Sequence, residues 1–177
     1  MESFKEYMLK DFIGSSFPDM GWGEFGKQVE NYICEKNDSD KFTDKEKQTL
    51  DKIITLGVFQ QEIIVDFGDF VVLGFIDDGT VSFKKMRDYK TKSESSKKDL
   101  HDDKKHQLEI YSLWVEQEFG YIPDELEYCI IERLGGAECM KGGGRDVLKV
   151  GERIWYEPYT ISLERLQQTR ELVIKTV

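Results

Sequence analysis

Apolar residues recur every three or four positions in five stretches of the chain, and alternate or run together in five others, the signatures of helix and strand respectively. Over 2–12, Phe4, Tyr7, Met8 and Phe12 share one side of a short helix. Over 22–35 the stripe is Phe25, Val29 and Tyr32 or Ile33. Thr43 followed by Glu46 has the spacing of a capping box, in which a hydroxyl and a carboxylate each satisfy a free backbone donor. A third helix starts there, runs to about Leu56 and stops at Gly57. Leu108, Tyr111, Val115 and Phe119 mark a fourth over 103–119, and Leu166, Leu172 and Val173 a fifth over 163–175, capped by Ser162. The strand-like runs are 59–66, 70–76, 81–89, 127–133 and 153–159. Turn signals at Gly68-Asp69 and Asp78-Gly79 make the first three an antiparallel meander. This order predicts an α/β fold: a single domain with one central mixed sheet flanked by helices. It divides into N-terminal helices over 1–57, a central unit over 58–119, and C-terminal strands and helix over 120–177.

Composition narrows this picture. With 177 residues, 39% of them apolar, the chain can bury one substantial core and is short for two. It has neither an apolar run of about 18 residues nor a charged-then-apolar start, so a soluble, cytoplasmic protein without a membrane span is expected. Cys34, Cys129 and Cys139 are odd in number and widely spaced, which supports neither a disulfide framework nor a four-thiolate site. The net charge of -10 argues against a nucleic-acid partner, yet its distribution points the other way. Residues 84–105 hold nine Lys and Arg, including Lys84, Lys85, Arg87, Lys90 and Lys92, against five acids. Phosphate could bind there, although a solvated charged loop accounts for the same excess.

The polar stretch 91–105 reads as a mobile loop, and the glycine-rich run 134–146 as a flexible connection. Gly142-Gly143-Gly144 lacks the spacing and Lys-Ser/Thr ending of a P-loop, and nearby Lys141 and Arg145 suit a solvent loop better than a phosphate site. His101 and His106, the only histidines, could approach a metal, but their hydrophilic setting favours the solvated reading.

Candidate chemistry gathers between Gly74 and Lys90. In a strand, Asp88 and Lys90 point to one face and Tyr89 to the other, while Asp77 closes the preceding run. Two carboxylates and an ammonium meeting at one point would suit metal-assisted hydrolysis. A flat hairpin turning at Asp78-Gly79 would keep Asp77 near the turn and Asp88 at the far end, so convergence requires a bend or an offset register. Gln107 and Tyr111, four apart, share a helix face.

Gly74-Phe75-Ile76-Asp77, ten further residues, Asp88-Tyr89-Lys90-Thr91, and then Gln107 to Tyr111 as Gln-x-x-x-Tyr resemble the signature of the PD-(D/E)XK nuclease superfamily, in its RecB-like exonuclease branch. The resemblance implies a restriction-endonuclease-like core and a metal-dependent DNA nuclease. It makes Asp77, Asp88 and the backbone carbonyl of Tyr89 ligands of Mg²⁺ or Mn²⁺. Lys90 becomes the residue that orients or deprotonates the attacking water, with Gln107 and Tyr111 lining the site. Lys84, Lys85, Arg87 and Lys92, with Tyr111, would hold the strand. The implied partners are single-stranded DNA or duplex ends, with a helicase or recombination protein, in recombination, repair or mobile-element and phage DNA processing. Many relatives carry Gly-x-x-His on the first core helix, whereas this chain has Gly23-Glu24-Phe25-Gly26. Related nucleases use a glutamate on that helix: Glu30 is the candidate here, Glu24 its rival and Glu62 a remoter one. The iron-sulfur cluster of some relatives is excluded, because four suitable cysteines are lacking. Two other readings stay open, a non-catalytic module of the same fold binding nucleic acid or a protein, and an acidic mimic of DNA.

Overall fold

The computed structural model describes residues 22–93, 102–135 and 148–176. The helix expected over 2–12, together with His101, Cys139, Lys141 and Arg145, lies outside them. Helix α1 (Trp22–Glu35) buries Phe25, Val29, Tyr32 and Ile33, which its periodicity sets on one side. A short 3-10 turn (Ser39–Lys41) leads to helix α2 (Asp44–Leu50), which starts on the capping box read from the sequence. Thr43 N–H donates to Glu46 Oε2 at 2.8 Å, and Glu46 N–H to Thr43 Oγ1 at 3.4 Å. The second oxygen of Glu46 accepts Val150 N–H at 2.9 Å, so a local cap also ties the helix to the sheet.

Helix α2 ends at Leu50, short of the expected Leu56, because other parts of the chain engage the backbone that follows. Ile54 O accepts from Arg87 Nη1 at 2.6 Å, and the N–H groups of Leu56 and Gly57 donate to the Asp78 carboxylate at 2.9 and 3.1 Å. With those partners supplied, continuing the helix would gain nothing for these groups.

Five strands follow, β1 (Val58–Asp66), β2 (Val71–Gly79), β3 (Lys85–Ser93), β4 (Glu125–Leu134) and β5 (Lys149–Tyr159), with helix α3 (Asp102–Phe119) before β4 and helix α4 (Leu163–Thr176) at the end. They form one mixed sheet in the order β1-β2-β3-β4-β5, antiparallel except between β3 and β4. Parallel neighbours need a crossover, and α3 provides it. On one face Ile63, Val65, Val72, Met86, Tyr128 and Ile130 pack with Leu108, Leu113 and Val115 of α3 and Leu166 and Val173 of α4. On the other, α1 and α2 cover Tyr89, Cys129, Ile131 and Val150. Strand β4 is buried from both sides and accordingly reads Leu126 to Ile131 as an almost unbroken apolar run. No helix among the described residues is long and apolar enough to cross a membrane.

The meander is present, but its second turn is later than the sequence suggests. β2 continues through Gly79 and β3 begins only at Lys85. Thr80 N–H to Lys85 O at 3.0 Å and Phe83 N–H to Thr80 O at 2.8 Å close the intervening turn. Phe83 adopts a left-handed φ of 50° that sends its ring edge-on into Trp114 of α3, at 5.0 Å between centroids. An apolar anchor inside a turn is what made 81–84 look like strand.

Candidate active site

The shifted turn supplies the offset that convergence of the acids requires. β2 and β3 pair only at Asp78↔Arg87 and Gly79↔Met86, and continuing that register sets Asp77 opposite Asp88. Beyond those two positions the strands part. Side-chain alternation in β2 also loses a step here. Ile76 belongs to the α3-side core, whereas Asp78, two residues on, hydrogen-bonds the Tyr89 hydroxyl on the α1 side at 2.8 Å. Across from the residue between them, Gln60 of β1 holds a left-handed φ of 48°. The Asp77 carboxylate accepts Tyr89 N–H at 2.9 Å, a bond that a β2 carbonyl would receive in a regular ladder. Asp77 thus occupies the fork between two strands.

Asp88 and Lys90 stand on the α3 face of β3. The Lys90 ammonium lies 2.6 Å from Asp88 Oδ2 and donates to Gln107 Oε1 at 3.0 Å; Gln107 in turn donates to the Tyr111 hydroxyl. A Cβ at Gly74 would meet Ile63 at 3.5 Å and the Tyr111 ring at 3.8 Å, ordinary van der Waals contact, so Gly74 lies directly beside both. Asp88 is fully buried, yet neither of its oxygens has a hydrogen-bond donor, the Lys90 contact being close in distance without hydrogen-bond angles. Leaving a buried carboxylate so costs free energy unless another charge is meant to meet it.

Glu30 reaches this point from α1, where its side chain accepts from Gln60. Burial first, and then the charge of Asp88, pushes the Glu30 carboxyl above the usual range, with Lys90 and Lys27 opposing. Burial, Asp88 and Glu30 push Asp77 well above it, with Lys90 and the Tyr89 N–H opposing. Three carboxylates and one ammonium therefore share a single field. Glu24 is exposed and bonded to Gln28, and Glu62 is exposed on β1, so Glu30 is the acid of the three that the fold brings to the others. Among the described residues no three Asp, Glu, His or Cys side chains stand grouped as they would to hold a metal ion. The donors at the fork are hard carboxylate oxygens, one pair of them buried without hydrogen-bond donors, which is the chemistry a hard divalent cation takes.

Of the basic residues expected to hold phosphate, Lys84, Lys85 and Arg87 lie away from this site. Arg87, expected to meet phosphate, is buried and points to the other face. It is bound to Glu127 at 2.6 and 2.9 Å and to Ile54 O, and it stacks over the Tyr156 ring at 5.0 Å. That expectation is corrected by the alternation of β3, which separates Arg87 from Asp88 and Lys90. Lys85 shares the Arg87 face and pairs with Glu125 at 2.8 Å, while Lys84 lies near Asp124 and over the Tyr121 ring. Both sit at the start of β3, roughly 15 to 20 Å along the strand from Lys90. Of the four strand-holding candidates, Lys92 alone shares the Lys90 face. His106 contacts Glu109 Oε2 at 2.9 Å.

Asp78 and Glu109 are among the buried acids that escaped the sequence reading. Asp78 receives the N–H groups of Leu56 and Gly57 and the Tyr89 hydroxyl. Glu109 on α3 receives Arg165 Nε at 2.7 Å, Thr169 Oγ1 at 2.6 Å and the Tyr159 hydroxyl, besides His106. Its one visible signal is an acid set between Leu108 and Ile110 in a helix stretch buried on every side.

No protein-family model matches the chain, and no curated protein matches it. Among solved structures, a protein from Eubacterium rectale named "putative exonuclease" has the same fold, with a TM-score of 0.52 and 15% identity over 97% of this chain and 75% of that one.

Proposed function

We propose that the chain is a metal-dependent deoxyribonuclease of the PD-(D/E)XK type, RecB-like in its Gln107–Tyr111 element, and that it acts as an exonuclease. The observation that carries this is the buried carboxylate of Asp88, paired with Lys90 but without a hydrogen-bond donor, beside Asp77 and Glu30. The likeness of fold to a protein named as an exonuclease agrees with it.

Asp77, Asp88 and Glu30 are the side chains that would hold the metal. A strand residue's N–H and C=O leave the same side, so Tyr89, whose N–H meets Asp77, offers its carbonyl to the same opening. Bound there, Mg²⁺ or Mn²⁺ would supply Lewis acidity, drawing charge from the phosphate and easing loss of a proton from water. Lys90, held by Gln107, aims a positive charge at the place where the phosphate's oxygens gain charge, and orients the water. Gln107 and Tyr111 fix Lys90 and border the strand; Lys92 meets a neighbouring phosphate. Water adds to phosphorus, the P–O bond to the leaving sugar oxygen breaks, and that oxygen takes a proton. Single-stranded DNA or duplex ends are the substrate class, and a helicase or recombination protein would deliver them.

Labelled single- and double-stranded DNA incubated with Mg²⁺, Mn²⁺ or chelator tests the reading. Cleavage should need the metal and fall on the order of a thousandfold in Asp88→Ala and in Lys90→Ala. Wild-type protein that cuts under no condition would remove the enzyme reading; variants that cut equally well would remove the site. A second reading, a non-catalytic module of this fold binding nucleic acid or protein, rests on the lack of a grouped metal-binding set among the described residues and the net charge of -10. Metal and DNA binding without cleavage would favour it.

A further inference from the structure

Gln60 stands inside β1 with a left-handed φ of 48°, which a residue bearing a side chain adopts only at a cost. Of the described non-glycine residues with positive φ, Lys36, Asp38 and Phe83 lie between elements, and Gln60 alone lies within a strand. Phe59 pairs with Asp78 and Gln61 with Ile76, so Gln60 is level with Asp77, where both strands change face. In β2, Ile76 meets the α3-side core and Asp78 meets the Tyr89 hydroxyl on the other side. In β1, Val58 and Ile63, an odd number of residues apart, both meet the α3-side core. Glycine would allow such a change of face without strain, and the chain does use glycine at positive φ just outside both ends of β1, at Gly57 and Gly68. Position 60 keeps a side chain instead, and that side chain reaches the site.

The Gln60 carboxamide donates to Glu30 Oε1 on α1, and among the described residues it is the one hydrogen-bond donor to that carboxylate. Glu30 in turn lies in the field of Asp88 and Lys90. A glutamate on a helix has several free side-chain torsions, so without a partner its carboxylate would be spread over several rotamers. We propose that Gln60 is a positioning residue for Glu30: its carboxamide turns the Glu30 carboxylate toward Asp77 and Asp88, and the strained backbone at Gln60 is kept because it aims that donor. The inference rests on the nuclease reading, in which Glu30 would be a metal ligand. A hydrogen-bond partner that orients a ligating carboxylate is worth about ten- to a hundredfold in metal affinity. Had the left-handed turn served the change of face alone, a glycine would serve it better.

The test titrates Mn²⁺ calorimetrically into the full chain and follows the melting of each variant without metal. Gln60→Gly should bind Mn²⁺ about tenfold more weakly than the wild type while melting within about 3 °C of it, because glycine takes the left-handed φ freely. Gln60→Glu, the same shape without the donor, should lose at least as much affinity. Glu30→Ala should also weaken binding, and adding Gln60→Gly to it should weaken binding no further, since Gln60 acts through Glu30. Unchanged affinity in Gln60→Gly, tighter binding in Gln60→Glu, or losses that add in the double variant would each overturn the inference and leave the nuclease reading standing. A wild type that binds no Mn²⁺ would overturn both. Should Gln60→Gly fail to fold, Gln60→Glu, alone and combined with Glu30→Ala, decides.

Discussion

Asp88 and Glu109 are both fully buried carboxylates, and the protein treats them in opposite ways. Glu109 is met by Arg165, Thr169, Tyr159 and His106, and although burial pushes its carboxyl up, those donors outweigh it and hold it at about 2. Asp88 has no donor on either oxygen. The first arrangement clamps α3 to β5 and α4. The second pairs with Lys90 at 2.6 Å but has no hydrogen-bond donor on either oxygen, and it shares that one ammonium with two further acids. A buried acid that the fold has satisfied is part of the frame, and one left unsatisfied is kept for something that arrives later.

Exchange of each acid for its amide or alanine is the sharpest way to break that comparison. Asp88→Asn should reduce cleavage on the order of a thousandfold while leaving the melting temperature unchanged or higher, since it removes one of three acids crowded around a single ammonium. Saturating Mg²⁺ or Mn²⁺ should stabilise the wild type by about 3 kcal/mol at a hundred times the dissociation constant, with no such effect on Asp88→Asn. If metal raises the melting temperature of both equally, Asp88 is not a ligand. Glu109→Ala should do the reverse, costing about 3 kcal/mol in denaturant titrations because it strands Arg165 and two hydroxyls, with per-molecule activity of the folded fraction largely kept.

Acid titration separates the two regions by sign. Glu109 is depressed from an unfolded value near 4.3, so its contribution is complete above that value and is lost as the pH falls toward about 2. Asp77 is raised, so the stability linked to it is complete below the ordinary aspartate value and is lost as the pH rises through the elevated one. Glu109→Gln should therefore flatten the acid limb of stability against pH, and Asp77→Asn should gain stability toward neutrality. The smallest effects belong to the basic residues. Lys84→Ala and Lys85→Ala should change DNA affinity less than about twofold, whereas Lys92→Ala should reduce the salt dependence of binding by about one counterion.

What the sequence disclosed follows from how far each partner is along the chain. The limits of α1 and α3 were legible because helix periodicity is local, and the Asp88–Lys90 pair because a spacing of two on a strand admits a single arrangement. The end of α2 was not, since Arg87 and Asp78, more than 20 residues away, take up its backbone groups. Nor was the register of β2 on β3, which depends on Phe83 finding Trp114. Arg87 looked like one more surface cation until Glu127, 40 residues on, placed it inside. Glu30 could be proposed from the helix pattern, but its proximity to Asp88 belongs to the tertiary structure alone.

The bond from Tyr89 N–H to the Asp77 carboxylate has a spectroscopic consequence. Most amides in a sheet report on another backbone group; this one reports on a titrating side chain at the point where the strands part. Its proton resonance should move when Asp77 loses a proton, and its exchange with solvent deuterium should change with any cation that draws the carboxylate away. A single backbone signal, read in the intact protein without substrate, would follow the charge state of the whole fork.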